Sequence, residues 1–202
     1  MSLTLILVLF ASYMMGSFPT SILIGKLLRR IDIREQGSGN ADGFNVLRVL
    51  GWKPALVLVV FDIFKGWLPD LGVFQVLCGF CAVLGHTYPV FAEFKGGKGV
   101  ATLAGMMIAL FPQAVPICMG IFTVTVILTG YTSVGSIIAS AFLPVILLIF
   151  PLFGFEPAEL SLLIFSLLVP FFMIFTHRSN ISRLRMGEEN RFEKAMIFNK
   201  RA

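Results

Sequence analysis

The chain has 202 residues, of which 57% are hydrophobic and only 13% charged. Soluble domains carry about 25% charged residues, so the composition argues against a water-soluble globular enzyme, and equally against a disordered chain, which needs high charge and low hydrophobicity. In a chain this apolar, the net charge of +5 points to basic loops on one side of a bilayer rather than to nucleic acid.

A helix needs about 20 apolar residues to cross the hydrocarbon core. Leu3 to Ile24 is the first such stretch. No basic residue precedes it and no small-residue cleavage site is evident, so it reads as a span and not as a signal peptide. Lys26 to Lys53 is polar and glycine-rich. Pro54 to Val90 is long enough for two short spans, with Pro69-Asp70 as the turn between them. Glu93 to Gly99 is a second polar loop. Val100 to Gly130 holds two short spans broken at Phe111-Pro112-Gln113, and Tyr131 to Val134 is a turn. Gly135 to Phe150 is another span, Pro151 to Glu159 an acidic loop, Leu160 to Thr176 the last span, and His177 to Ala202 a basic tail. Alternating strand patterns are scarce, so a transmembrane barrel fits poorly.

The expected fold is therefore all-α: a polytopic integral membrane protein of about seven transmembrane helices. Of the 16 Lys and Arg, all but Lys65 fall in the first polar loop, the second polar loop or the tail. That bias places the N-terminus outside and the C-terminus and all three polar segments in the cytoplasm. Cys78, Cys81 and Cys118 lie in apolar runs and read as packing thiols. A redox or metal role for the Cys78-x-x-Cys81 pair is the alternative, but no strong metal signature is present, and no cofactor is expected.

Unusual polar residues collect in those three segments. The first runs Gly37-Ser38-Gly39-Asn40-Ala41-Asp42-Gly43-Phe44-Asn45 and on to Arg48. Its glycines permit positive φ and close backbone approach to a ligand, successive backbone N–H groups form an anion nest, and Arg48 adds a fork suited to phosphate. The second includes His86, Lys95, Gly96, Gly97, Lys98 and Gly99, entering a helix whose N-terminus favours anions. Its glycine spacing is not that of a nucleotide P-loop. The third is His177-Arg178-Ser179-Asn180-Ile181-Ser182-Arg183-Leu184, followed by Gly187-Glu188-Glu189. His177 and Asn180 share a face if the segment is helical. Histidine titrates near neutrality and suits a general base or a hydrogen bond to a substrate hydroxyl. Asp62 and Lys65 lie within a span at a spacing that lets them form a structural ion pair, with a substrate-facing role as the alternative.

Together these segments resemble the bacterial acyl-phosphate:glycerol-3-phosphate acyltransferases of the PlsY type. The resemblance runs from Gly16-Ser17 through the GSGN loop, Asp62 to Gly66, GHTYPVFAEFKGGKGVAT, Ser133 and Ser136, to HRSNISRL and Gly187-Glu188. It implies a single transmembrane acyltransferase domain over residues 1–202, in the bacterial inner membrane with its site facing the cytoplasm. It implies transfer of a fatty acyl group from acyl phosphate to the 1-hydroxyl of glycerol 3-phosphate, the first step of phospholipid synthesis. Neither metal nor cofactor is implied, and the partners are the two substrates and membrane lipid. By position, Ser38, His86, His177 and Asn180 take catalytic roles. Gly37, Gly39, Asn40, Asn45 and Arg48, then Lys95, Gly96, Gly97, Lys98 and Gly99, then Ser133 and Ser136, take substrate or phosphate-binding roles.

The family loop usually reads GSGN-x-GATN. Here Asp42 stands for glycine and Phe44 for threonine, and Glu93 stands where glycine is common. Two added carboxylates weaken an anion site unless they point away or pair with a cation. A paralogue acylating another polar acceptor, or an anion or lipid transporter, are the alternative readings.

Overall fold

The structure, a computed structural model, describes residues 3–67, 74–193 and 196. Helices are the only extended regular elements among these residues. The chain divides into two compact units, Met1–Pro112 and Gln113–Ala202.

The first unit contains α1 (Leu3–Gly16), α2 (Thr20–Arg29), α3 (Gly43–Leu50), α4 (Trp52–Gly66), α5 (Phe74–Thr87) and α6 (Val100–Leu110). The expected first span is interrupted at Ser17–Pro19, because proline has no N–H to continue the helix. Leu3–Arg29 still forms a stretch of 27 residues long and apolar enough to cross a membrane. Four helical glycines of this unit, Gly16, Gly66, Gly85 and Gly105, let helices pack with their backbones almost touching. A Cβ on Gly16 would strike the Ala82 carbonyl, and one on Gly85 the Tyr13 carbonyl, which binds α1 to α5. Gly66 against Thr102 and Gly105 against Ile63 do the same for α4 and α6. Small-residue contact is how helices associate in lipid, where apolar burial gives no drive. The polar stretch expected from Lys26 to Lys53 is more ordered than a loop: α2 ends inside it, and α3 follows Asp42. Ile22, Ile33, Ala41, Val46, Ala55, Leu58 and Ala92 form the buried cluster beneath it.

The second unit contains α7 (Ala114–Thr129), α8 (Thr132–Ile149), α9 (Leu160–Thr176) and α10 (Arg178–Met186). Gly130, at φ +77°, ends α7. Thr132 is already helical, so the turn is shorter than the expected Tyr131–Val134. Helices α9 and α10 are bent by 57° at His177.

Among the described residues, three stretches are long and apolar enough to cross a membrane: Leu3–Arg29, Phe74–Ala92 and Thr132–Phe153. The bent α9–α10 pair counts as a fourth only when taken as one span, while α6 and α7 are shorter apolar helices. The break at Phe111–Gln113 lies where expected, between α6 and α7. The expected Pro69-Asp70 turn lies outside the described residues.

Candidate active site

The first loop is built around Asn45. Its Nδ2 donates to the carbonyls of Ile33, Gln36 and Asn40 at 2.8–3.0 Å. Its Oδ1 accepts from Ser38 N at 2.9 Å. Asn45 is buried, and its amide is wholly engaged by the loop backbone. In this structure Asn45, expected to bind phosphate, braces the loop. Gly37 and Gly39 sit at φ +60° and +74°, a region L side chains rarely enter. A Cβ on Gly37 would strike Asn45 Oδ1. Ser38 is half-buried, with its Oγ accepting from Asn40 Nδ2 at 3.3 Å. Arg48 is exposed on the last turn of α3.

Asp42 has two contacts. Oδ1 caps α3 by accepting from Asn45 N at 2.9 Å, and Oδ2 lies 3.4 Å from Lys98 Nζ. The added carboxylate is therefore paired with a cation of the second loop. Arg34 ties the loops a second time. It grips Asp32 at 2.7–3.2 Å and donates to the Ala92 carbonyl at 3.1 Å. The Arg34 guanidinium holds the Asp32 carboxyl below its ordinary range.

The second loop reverses through Glu93 and Phe94, at φ +56° and +59°. The chain then runs back along the end of α5, with Gly96 N donating to Thr87 O and Gly97 N to His86 O, both at 3.2 Å. Side chains are excluded here: a Cβ on Gly96 would strike the His86 carbonyl, and one on Gly97 the His86 Nε2. Gly99, at φ +78°, opens α6, so the Gly96–Gly99 backbone leads directly into a helix N-terminus. Lys98 is mostly buried beside Asp42. Lys95 instead reaches solvent, its side chain 73% exposed and 3.9 Å from Glu93, itself 79% exposed. Glu93 thus points away from the loop interior.

Beneath this loop, His86 is buried with Asp62 and Lys65 of α4. Lys65 Nζ donates to Asp62 Oδ1 at 2.7 Å and to the Phe18 carbonyl at 2.8 Å. This is the expected ion pair, and it extends to a third member, since His86 Nδ1 lies 3.5 Å from the same Asp62 oxygen.

In the second unit, His177 sits at the N-cap position of α10, with no side-chain cap bond, and is buried. Its Nδ1 lies 2.9 Å from the Met173 carbonyl. A carbonyl only accepts, so this contact needs a proton on Nδ1, which the Nδ1–H tautomer or the charged ring supplies. Glu189 gathers three side chains: Asn180 Nδ2 at 2.6 Å, Ser133 Oγ at 3.1 Å and Arg183 Nε at 2.9 Å. Gly187, at φ +73°, ends α10 and turns the chain toward Glu189. Asn180 Oδ1 and Arg183 Nη2 are buried without a hydrogen-bond partner. An acceptor and a donor thus stay open beside a fixed carboxylate. Ser133 and Ser136, expected to bind phosphate, have other partners. Ser133 is held by Glu189, and Ser136 Oγ donates to the Thr132 carbonyl at 3.0 Å within its own helix.

Three roles are not carried by local sequence: Asp42 as a cap, Asp62 as a partner of His86, and Glu189 as the acceptor for three side chains. Glu189 has one visible signal: it follows a glycine stop after a helix with three Arg and one Asn.

The glycerol-3-phosphate acyltransferase family model matches residues 6–187. A glycerol-3-phosphate acyltransferase of Chlorobium luteolum is 42% identical over 227 aligned positions, covering 94% of this chain and 97% of the relative. One of Chlorobaculum tepidum is 42% identical with the same coverage. Among solved structures, PlsY, an integral membrane glycerol 3-phosphate acyltransferase, matches in its glycerol 3-phosphate form with a TM-score of 0.84 and 31% identity, over 94% of this chain and 96% of that one. Its lysophosphatidic acid form matches with a TM-score of 0.81 and 30% identity, over 93% and 95%. With relatives matched nearly end to end and a fold in common, the chain belongs to the glycerol-3-phosphate acyltransferase family.

Proposed function

We propose that this protein transfers a fatty acyl group from acyl phosphate to the 1-hydroxyl of glycerol 3-phosphate, releasing lysophosphatidic acid and inorganic phosphate. It acts as a single acyltransferase domain over residues 1–202 with seven spans, in a bacterial inner membrane. The N-terminus is outside; the three basic segments and the C-terminus are cytoplasmic. The observation that carries the reading is the likeness to PlsY in two forms, whose ligands are the acceptor and the product of this reaction. Asp42 is paired with Lys98, so its carboxylate is not left unpaired beside the anion loops, although it shares that cation with a substrate phosphate.

Acyl phosphate is a mixed anhydride, already activated, so the protein need only align and stabilise. The acceptor hydroxyl oxygen bonds to the acyl carbon, the carbon–oxygen bond to phosphate breaks, and phosphate leaves with the electron pair. The hydroxyl proton passes to His177 or to a phosphate oxygen. Ser38, Gly37, Gly39, Asn40 and Arg48 present donors to one phosphate, in a loop that Asn45 braces. Gly96, Gly97, Lys98 and Gly99 present a second set. Lys95, being exposed, attracts anions at a distance. His86 supports the second loop. His177 and Asn180 hold the glycerol hydroxyls, Asn180 through its open Oδ1.

The test is product formation by purified protein in detergent, with labelled glycerol 3-phosphate and palmitoyl phosphate, palmitoyl-CoA or palmitoyl carrier protein in parallel. Lysophosphatidic acid is expected from palmitoyl phosphate alone. Product from the thioesters instead would overturn the donor assignment.

A further inference from the structure

We infer that Asp62 is a positioning residue for the second glycine-rich loop, acting through His86, and not merely the buried counter-ion of Lys65. The inference rests on the reading of that loop as a phosphate cradle only for its effect on activity; its structural content stands separately.

A buried Lys–Asp pair needs no third member. Here Asp62 Oδ1 faces both Lys65 Nζ, at 2.7 Å, and His86 Nδ1, at 3.5 Å. A carboxylate accepts only, so it keeps the proton on Nδ1 and fixes the ring edge turned toward it. The opposite edge meets the loops. Nε2 abuts Gly97, where an added Cβ would strike it and would come within 2.7 Å of the Ala41 carbonyl of the first loop. The His86 and Thr87 carbonyls also accept the Gly97 and Gly96 amides. A small cleft lined by Asp62, Lys65, His86, Ala41 and Gly97 joins these groups. One imidazole, held from α4, thus sets the height of Gly97 and the spacing of the two loops. Lys65 balances the carboxylate and fastens it to the Phe18 carbonyl at the α1–α2 corner.

Two charge-free replacements separate this role from a plain ion pair. Asp62→Leu with Lys65→Met removes both charges and leaves no orphan, a change that is often neutral for stability. Asp62→Asn with Lys65→Met removes the same charges but keeps an oxygen for His86 Nδ1. A merely structural pair treats the two alike. We expect hydrogen exchange at the Gly96 and Gly97 amides, followed on purified protein in detergent, to quicken about tenfold in the Leu/Met variant and far less in the Asn/Met variant. The KM for glycerol 3-phosphate should rise about tenfold in the Leu/Met variant, with kcat within about twofold. Adding His86→Gln to the Leu/Met variant should change little further, because residues acting through one another are non-additive. Equal exchange in both double variants, or loop exchange unchanged from wild type, would overturn the inference. Faster loop exchange in a protein whose wild type makes no lysophosphatidic acid would sink the cradle's assigned function and leave the positioning role standing.

Discussion

Asp42 Oδ2 lies 3.4 Å from Lys98 Nζ, while its other oxygen caps α3 through Asn45 N. One carboxylate therefore links the two glycine-rich loops and occupies the cation that a phosphate would use. Asp42→Asn keeps an N-cap of equal quality and removes the competing charge. The expected result is a KM for the phosphate-bearing substrates lowered about threefold to tenfold, with thermal stability little changed. Steady-state kinetics beside a melting curve check both halves.

Gly97 admits no side chain, because a Cβ there would strike His86 Nε2. Gly97→Ala must displace either the imidazole or the loop. A misplacement of about 1 Å costs on the order of a hundredfold in activity, so a loss of that size is expected. Gly120→Ala, where a Cβ meets nothing within 4 Å, is the control and should retain full activity.

The Glu189 side chain is only 4% exposed and accepts from Ser133, Asn180 and Arg183. Glu189→Ala leaves the guanidinium without its counter-ion and two further donors without an acceptor. A loss of about 3 kcal/mol in stability is expected, read as a lowered unfolding midpoint in detergent. Glu189→Gln should restore part of it, since the amide keeps one accepting oxygen.

Glu93 adopts φ +56°, and its side chain is exposed. Left-handed backbone costs an L residue about 1–2 kcal/mol, offset by about 0.5–1 kcal/mol of extra chain entropy in glycine. Glu93→Gly should therefore stabilise the protein by about 0.5 kcal/mol and leave kcat unchanged. A destabilised variant would show that the Glu93–Lys95 contact outweighs the strain.

Asp32 has a carboxyl lowered from its ordinary value of 3.8 by the Arg34 fork. A group depressed in the folded state contributes stability above its unfolded pKa and loses it as pH falls through the folded one. The stability gap between wild type and Asp32→Asn should be complete at neutral pH. It should close on acidification below 3.8, as followed by denaturation across a pH series.

Much of this was legible along the chain. The break at Pro112, the glycine-rich loops and the apolar helices follow from local composition, proline and glycine chemistry. Spacing alone predicts the Asp62–Lys65 pair. What composition does not carry is which partner a polar group takes across the fold. Asn45 looks like a ligand donor until its amide is seen braced by three carbonyls. Ser136 looks available until its hydroxyl is seen bonded within its own helix. Asp42 looks like an unpaired charge until Lys98, distant in sequence, is found beside it. His86 gains Asp62 only because α4 and α5 pack together.

The most direct test of the central claim is acyl transfer from palmitoyl phosphate to labelled glycerol 3-phosphate by the purified protein, with Lys98→Ala and His177→Ala beside it. The expected result is lysophosphatidic acid from the wild type and at least about a hundredfold less from either folded variant. A folded wild type that binds acyl phosphate yet makes no lysophosphatidic acid, or a Lys98→Ala variant as active as wild type, would contradict the account.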